Sequence, residues 1–406
     1  MSTPWKTNDW YTSPWNFQEE VRQQLNFPKN IKLHDVTLRD GEQQAGAVFT
    51  KDDKIRLAEM LAEAGIHRIE AGMPAVTKQD ADAIAEMVKR ELPCEIFAFA
   101  RCMKADVQRA ADLGVDGIVV EIPSSGHLIK HAYQWELQKA IDLSIEATNY
   151  AKEKGLYTVF FTIDGSRSEM DWLLDLVMQV AEQGHMDALA VVDTFGGLAP
   201  HTVPYLVSKM RERVDKPLET HFHDDFGLGV ANTIFGLAAG CEVAHTTVAA
   251  TGERAGNAAY EDLTMALKTM YDVDLGIDTT KMRQIYKFVE EKIGHCVPTN
   301  RGILGDRLTH VESGIVAAWY GNCYPDHILE LVPYRPEMVG QSGLQVVMGK
   351  HSGLPSVQVW CQKLGIEATE EQMNEILMKV KDAAYIKRNT LNEDEFKMIC
   401  DQVLNK

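Results

Sequence analysis

Eight short β-type runs alternate with helix-patterned segments between residues 31 and 275, and this rhythm restricts the chain to α/β folds with parallel strands. The runs fall at 31–37, 67–71, 95–100, 117–122, 156–162, 188–192, 218–222 and 245–249. Between them, apolar residues keep helical spacing, as in Ile55, Leu57, Ala58, Leu61 and Ala62, and in Leu173, Leu174, Leu176, Val177 and Val180. Gly114 and Gly155 follow the helical stretches 104–113 and 135–154, where a left-handed residue ends a helix. Eight units in about 245 residues fit a closed (β/α)8 barrel, whose usual size is about 250 residues. A doubly wound open sheet competes, but no GxGxxG follows the first run.

Past residue 275 the rhythm stops, and helical patterns follow at 278–293, 327–332, 369–383 and 392–403. Thr369 and Gln372 form a capping-box pattern at the start of the third. The expected organisation is an arm over 1–30 carrying Trp5, Trp10, Trp15 and Phe17, a barrel over 31–275, and a smaller, mostly helical C-terminal subdomain over 276–406.

Composition removes several functions. The 41 Lys+Arg against 59 Asp+Glu give a net charge of −18 with no basic run, so no nucleic-acid partner is expected. No stretch nears the roughly 20 apolar residues that span a membrane, and the N-terminus lacks a secretory h-region. The seven cysteines are scattered without a CxxC pair, which suits a reducing cytoplasm.

In a barrel the chemistry sits at the C-terminal ends of strands. The first run leads into Arg39, Asp40 and Gln43. A carboxylate there can bind a hard cation and a guanidinium can polarise an oxygen, with a structural ion pair as the competing reading. The seventh ends in His221-Phe222-His223, whose imidazoles share one side of the strand and suit a metal. Only one strand would separate the first from the seventh around the ring. The loop after the eighth holds Gly252, Glu253 and Asn257, either a ligand-approaching loop or a plain turn. Thr194, after the sixth, suits a substrate carboxylate, and His127, after the fourth, suits specificity; each is equally a loop hydrogen-bonder.

Together, LHDVTLRDGEQQAG (33–46), RIEAGMPA (68–75), VVDTFGG (191–197), HFHDDFGLGVANT (221–233) and TGERAGNAAYEDL (251–263) resemble the DRE-TIM metallolyases. With GKHSG at 349–353, the chain looks most like their Claisen-condensing branch, which includes 2-isopropylmalate, homocitrate and citramalate synthases. The resemblance implies a divalent metal (Mg, Mn, Zn or Co) on Asp40, His221, His223 and Asn257. It also implies Arg39 on the ketone oxygen, Thr194 on a 2-oxo acid carboxylate, acetyl-CoA or a related acyl-CoA as cosubstrate, and a homodimer. Gln43, His127 and Arg167 are further substrate-binding candidates, and Glu253 a further catalytic one.

Two positions depart from the branch. Ile163 stands where a Glu precedes the Asp of the fifth strand's end, and Ser313-Gly314-Ile315-Val316 has valine where the branch has an acid/base histidine. His310 and Tyr320 are the candidates to take over that role. The lyase branch carries a cysteine in the loop after the eighth strand; here that loop has none, and Cys241 lies upstream. The leading expectation is an acyltransferase that condenses an acyl-CoA with a 2-oxo acid. A metal-dependent carbon–carbon lyase and a catalytically silent metal-binding barrel compete.

Overall fold

The computed structural model describes residues 3–405. Eight strands close into a parallel barrel: β1 Lys32–Asp35, β2 Arg68–Glu70, β3 Glu95–Arg101, β4 Gly117–Pro123, β5 Tyr157–Ile163, β6 Ala188–Asp193, β7 Leu218–Phe222 and β8 Val243–Thr246. Each pairs with the next, and β8 closes on β1. The strands are buried almost throughout, as expected for parallel strands covered by helices.

The barrel interior has two characters. Phe97, Phe99, Val119, Val159, Phe161, Ala190 and Val192 form an apolar cluster along β3–β6. His34, Arg68, Glu70, Glu219, His221 and His245 supply buried polar groups along β7, β8, β1 and β2. Gly117 makes room at the seam: a Cβ there would lie 2.4 Å from the Phe97 ring. Gly114 and Gly155 both sit at φ +74° after their helices, as expected.

Two compact units divide the chain at other points than the expected 30 and 275. One runs from Trp15 to Val297; the other joins the segment up to Pro14 to that from Pro298 onward. The arm is therefore split. Asn26 N–H donates to the Ala238 carbonyl (2.7 Å) and Phe27 packs edge-on against Tyr271, so its second half covers the barrel's N-terminal end. Trp10 bridges to Tyr334 within the other unit.

That other unit has a small parallel pair, β9 His310–Val311 and β10 Gln345–Val346, and four α-helices of ten or more residues, Gly314–Cys323, Leu354–Leu364, Glu370–Lys387 and Glu393–Leu404. Trp360, Ile376, Val380 and Phe396 lie in its core. The Thr369–Gln372 capping box forms. The helix expected at 327–332 is only a 3-10 turn, Ile328–Glu330, and the first two helices were not expected. Pro355 sits in the first turn of the second of these, where its missing N–H costs nothing. The eighth strand begins and ends earlier than expected, so His245 lies within it and a tight turn, Val248–Ala250, follows. Among the described residues no helix is long and apolar enough to cross a membrane.

Candidate active site

β1 ends at Asp35, and the chain then curls so that the Val36 carbonyl accepts the N–H groups of Arg39, Asp40 and Gly41 at 3.1, 2.8 and 3.1 Å. This turn, rather than the strand itself, aims Arg39 and Asp40 over the barrel mouth. Gly41 permits it, since a Cβ there would lie 2.7 Å from Thr251 Oγ1. Asp40 Oδ2 lies 3.1 Å from His221 Nε2 and 3.7 Å from His223 Nε2. Asn257 joins by a β-bridge to His223. Its amide donates to the Thr251 carbonyl (3.2 Å), leaving Oδ1 without a partner, as is Asp40 Oδ1. These four residues are at most 5 % exposed. Gly252, at φ +145°, cradles them: a Cβ would lie 2.3 Å from Asn257 Nδ2 and 3.3 Å from Asp40 Oδ1.

Buried unpartnered acceptors are costly unless something positive meets them. Burial alone would raise the Asp40 carboxyl, but the opposing interactions around it, the Arg39 guanidinium first, hold the group below the usual carboxylate range. Burial pushes His221 down to about 3 and also lowers His223. At neutral pH the cluster is therefore one carboxylate, two neutral imidazoles and one amide oxygen, a donor set that fits a divalent cation.

Arg39 is fixed on several sides. Nε donates to Glu70, Nη1 reaches Asp40 (3.2 Å) and Gln43 (3.3 Å), and the guanidinium lies 4.0 Å from the Phe99 ring centre. Nη2 is buried and has no partner. A cavity of about 200 Å³ opens here, lined by Arg39, Asp40, Gln43, Thr194, His221, His223 and Glu253 on its polar side. Met73, Phe99, Phe161 and Ile163 form its apolar side, and the Glu121 carboxyl also lines it. A groove of about 630 Å³ adjoins it and shares Arg39, Gln43 and Met73.

His127 and Arg167 do not line this cavity. Both converge on buried Asp164, Arg167 through two bonds (2.6 and 3.0 Å) and His127 Nε2 at 3.1 Å from Oδ2. The Asp164 N–H in turn donates to Thr194 Oγ1 (2.8 Å), so the group steadies Thr194 from behind. Glu70 was not singled out in the sequence, and Glu121 only as one of the polar groups at the end of the fourth strand that could set specificity. Their signal was a charged residue inside a buried strand, two places from another polar one in Arg68-Ile69-Glu70.

Burial raises the Glu121 carboxyl to about 7, against Arg39 and Arg101, which lower it. The folded chain thus holds a proton that the unfolded chain, near pH 4.5, has lost. This contribution to stability is present below about pH 4.5 and lost as pH rises to about 7. Glu121→Gln is therefore expected to raise the melting temperature relative to wild type at pH 8 and not at pH 4.5, as calorimetry at the two pH values would show.

Residues 30–289 match the family model described as HMGL-like. The chain belongs to this family. Residues 331–388 match a second model, the homocitrate synthase post-HMGL domain-like family. This HMGL-like protein is 35 % identical to a homocitrate synthase of Methanopyrus kandleri over 365 residues, 90 % of each chain. It is 36 % identical to 2-isopropylmalate synthase 2 of Caldanaerobacter subterraneus, covering 93 % of this chain and 97 % of that one. These relatives place it in the Claisen-condensing branch. The HMG-CoA lyase structure of Bacillus subtilis shares the fold at 23 % identity, with a TM-score of 0.61 over 68 % of this chain and 98 % of that one.

His310 and Tyr320 belong to the unit that contains the post-HMGL segment. His310 Nε2 lies 2.6 Å from Gln345 Nε2, and Tyr320 stacks on Tyr324 at 4.6 Å. Val316 packs against that unit's core. The GKHSG segment serves the same unit's backbone. The Glu312 carboxylate accepts the His351 N–H (3.0 Å), and a Cβ on Gly353 would lie 2.9 Å from the Gly314 Cα, so the two glycines pack backbone on backbone.

Proposed function

We propose that this HMGL-like protein condenses acetyl-CoA, or a related acyl-CoA, with a 2-oxo acid whose side chain is apolar. The observation that carries the reading is the group Asp40, His221 and His223, with an unpartnered Arg39 Nη2 beside it, lining one small cavity, and Asn257 bridged to His223 with its Oδ1 unpartnered. The four residues would hold a divalent metal; bound there, it supplies Lewis-acid polarisation of the ketone and a charge partner for the oxo-acid carboxylate. Arg39 Nη2 donates to the ketone oxygen as it becomes an alkoxide. Thr194 donates to the substrate carboxylate while Asp164 holds its oxygen from behind. Glu253, a cavity residue, is the carboxylate we assign to remove the methyl proton of the acyl group. The methyl carbon then bonds to the ketone carbon, and hydrolysis of the thioester releases the CoA thiol. His310 and Tyr320 remain the acid/base candidates of the C-terminal unit. The same reading expects a homodimer in a reducing cytoplasm.

The side-chain end of the cavity supports the apolar class. Met73, Phe99, Phe161 and Ile163 face it, and Arg39 is the one fixed cation among the described lining residues. A second substrate carboxylate would be buried without a partner, at a cost of several kcal/mol. Cys241 is fully buried and precedes β8, so it does not stand in the loop after that strand where a lyase-type cysteine would.

The test is release of CoA thiol from acetyl-CoA with Mn(II) across a panel of 2-oxo acids. Pyruvate, 2-oxobutyrate and 2-oxoisovalerate are expected to exceed 2-oxoglutarate by roughly 100-fold in kcat/KM. No thiol release across the panel overturns the condensation reading, and a preference for 2-oxoglutarate overturns the apolar class.

A further inference from the structure

A row of buried side chains runs beneath the cluster at the barrel mouth. Arg68 Nη1 on β2 donates to Glu219 Oε1 on β7 at 2.8 Å. Glu219 Oε2 lies 2.8 Å from His245 Nε2 on β8. His245 Nδ1 lies 3.2 Å from His221 Nδ1, and His221 Nε2 lies 3.1 Å from Asp40 Oδ2. Each of these residues is nearly or fully excluded from solvent. The register places them: Glu219 and His221 are two apart on β7, hence on one side, and Thr220 pairs with Ala244, setting His245 beside His221.

The three contacts from Glu219 to Asp40 have to be made from a limited supply of protons. A contact between two nitrogens, or between a nitrogen and a carboxylate, is a hydrogen bond only with one proton in it. A metal on His221 Nε2 leaves the one proton of that ring on Nδ1, the nitrogen that faces His245. Glu219 is an acceptor fixed by Arg68, so His245 gives its Nε2–H to it. His245 Nδ1 is then an acceptor and takes the Nδ1–H of His221. His221 Nε2 is left as a lone pair facing Asp40 Oδ2, and a cation satisfies both.

We propose that His245, held by Glu219, is a positioning residue that fixes His221 as its Nδ1–H tautomer and so presents Nε2 to the divalent metal. The proposal rests on the metal reading above and adds to it residues that touch neither substrate nor metal. Partners of this kind commonly orient a metal-ligating imidazole and raise its basicity. The neighbouring group His34, Glu219 and His245 is not taken as a second cation site, because the Arg68 guanidinium already supplies the positive charge at Glu219.

His245→Leu removes both the donor and the acceptor. His245→Gln keeps an amide N–H for Glu219 and a carbonyl oxygen for His221. Titration calorimetry with Mn(II) on the full chain is expected to show binding weakened roughly 10- to 100-fold in the leucine variant and largely restored in the glutamine variant. A general packing defect would not distinguish the two. A second measurement needs no variant: in Zn(II)-loaded protein labelled with 15N-histidine, His221 is expected to show a slowly exchanging Nδ1–H coupled to a second imidazole nitrogen. Equal Mn(II) affinity in wild type and His245→Leu, equal weakening in both variants, or absence of that coupled N–H overturns the relay. A wild type that binds no divalent ion overturns the metal reading and the relay with it.

Discussion

Arg39→Met is expected to lower kcat for condensation by roughly 100- to 1,000-fold, with little change in KM for the oxo acid. The asymmetry follows from where Nη2 points. Nε and Nη1 are engaged by Glu70, Asp40 and Gln43, so Nη2 is the buried N–H group left to act. The oxygen it meets carries most charge after the carbon–carbon bond begins to form, so the bond strengthens in the transition state and shows in kcat. The substitution also strips Glu70 of its cation inside the barrel, where breaking a buried pair costs about 3–5 kcal/mol. Lost stability would then mimic lost catalysis. The double variant Arg39→Met with Glu70→Gln separates the two: its melting temperature should recover toward wild type while kcat stays low. Steady-state kinetics and thermal unfolding on both proteins are the measurements. Recovery of kcat along with stability would assign Arg39 a structural role only.

Legibility in the sequence followed the range of the forces involved. The strand–helix rhythm is local, so seven of the eight strands were placed within a residue or two, β8 being the exception. There, β-branched Thr246, Thr247 and Val248 extended the apparent run past the strand into a turn where Ala249 and Ala250 adopt positive φ. Asp40, His221 and His223 were legible because two periodicities suffice: alternation within β7, and the one-strand gap between β7 and β1 once the barrel closes. Arg167 and His127 show the limit. Each stands at a strand's C-terminal end, yet both turn toward the buried Asp164 carboxylate, which is in Arg167's own turn but in a different loop from His127. Glu219 and His245 were hidden for a similar reason. Polar residues inside strands read as interruptions until the barrel gathers them from three sides. In the C-terminal unit, Val316 looked like a lost functional group; in the fold it is a packing residue on a helix whose first glycine is pressed against Gly353.

Asp40→Asn is expected to weaken divalent-metal binding by at least about 1,000-fold and to reduce condensation to background. Of the four candidate ligands, two are neutral imidazoles and one is an amide, so Asp40 carries the whole formal negative charge of the set. At about 4 Å and an effective dielectric near 20, one unit-charge pair is worth about 4 kcal/mol, and a divalent ion doubles it before the ion's own desolvation is counted. The asparagine keeps the shape and one oxygen donor, so donor counting alone predicts a mild effect. The charge argument predicts a severe one, because the Arg39 guanidinium, 3.2 Å from Asp40, would then face the cation with less to offset it. His223→Ala is the matching control, since it deletes a donor and leaves the charge. Mn(II) titration should therefore rank the variants with Asp40→Asn the weaker binder of the two. The reverse order would mean that the cluster holds its cation by coordination geometry, with the barrel's buried charges setting Arg39 rather than the metal.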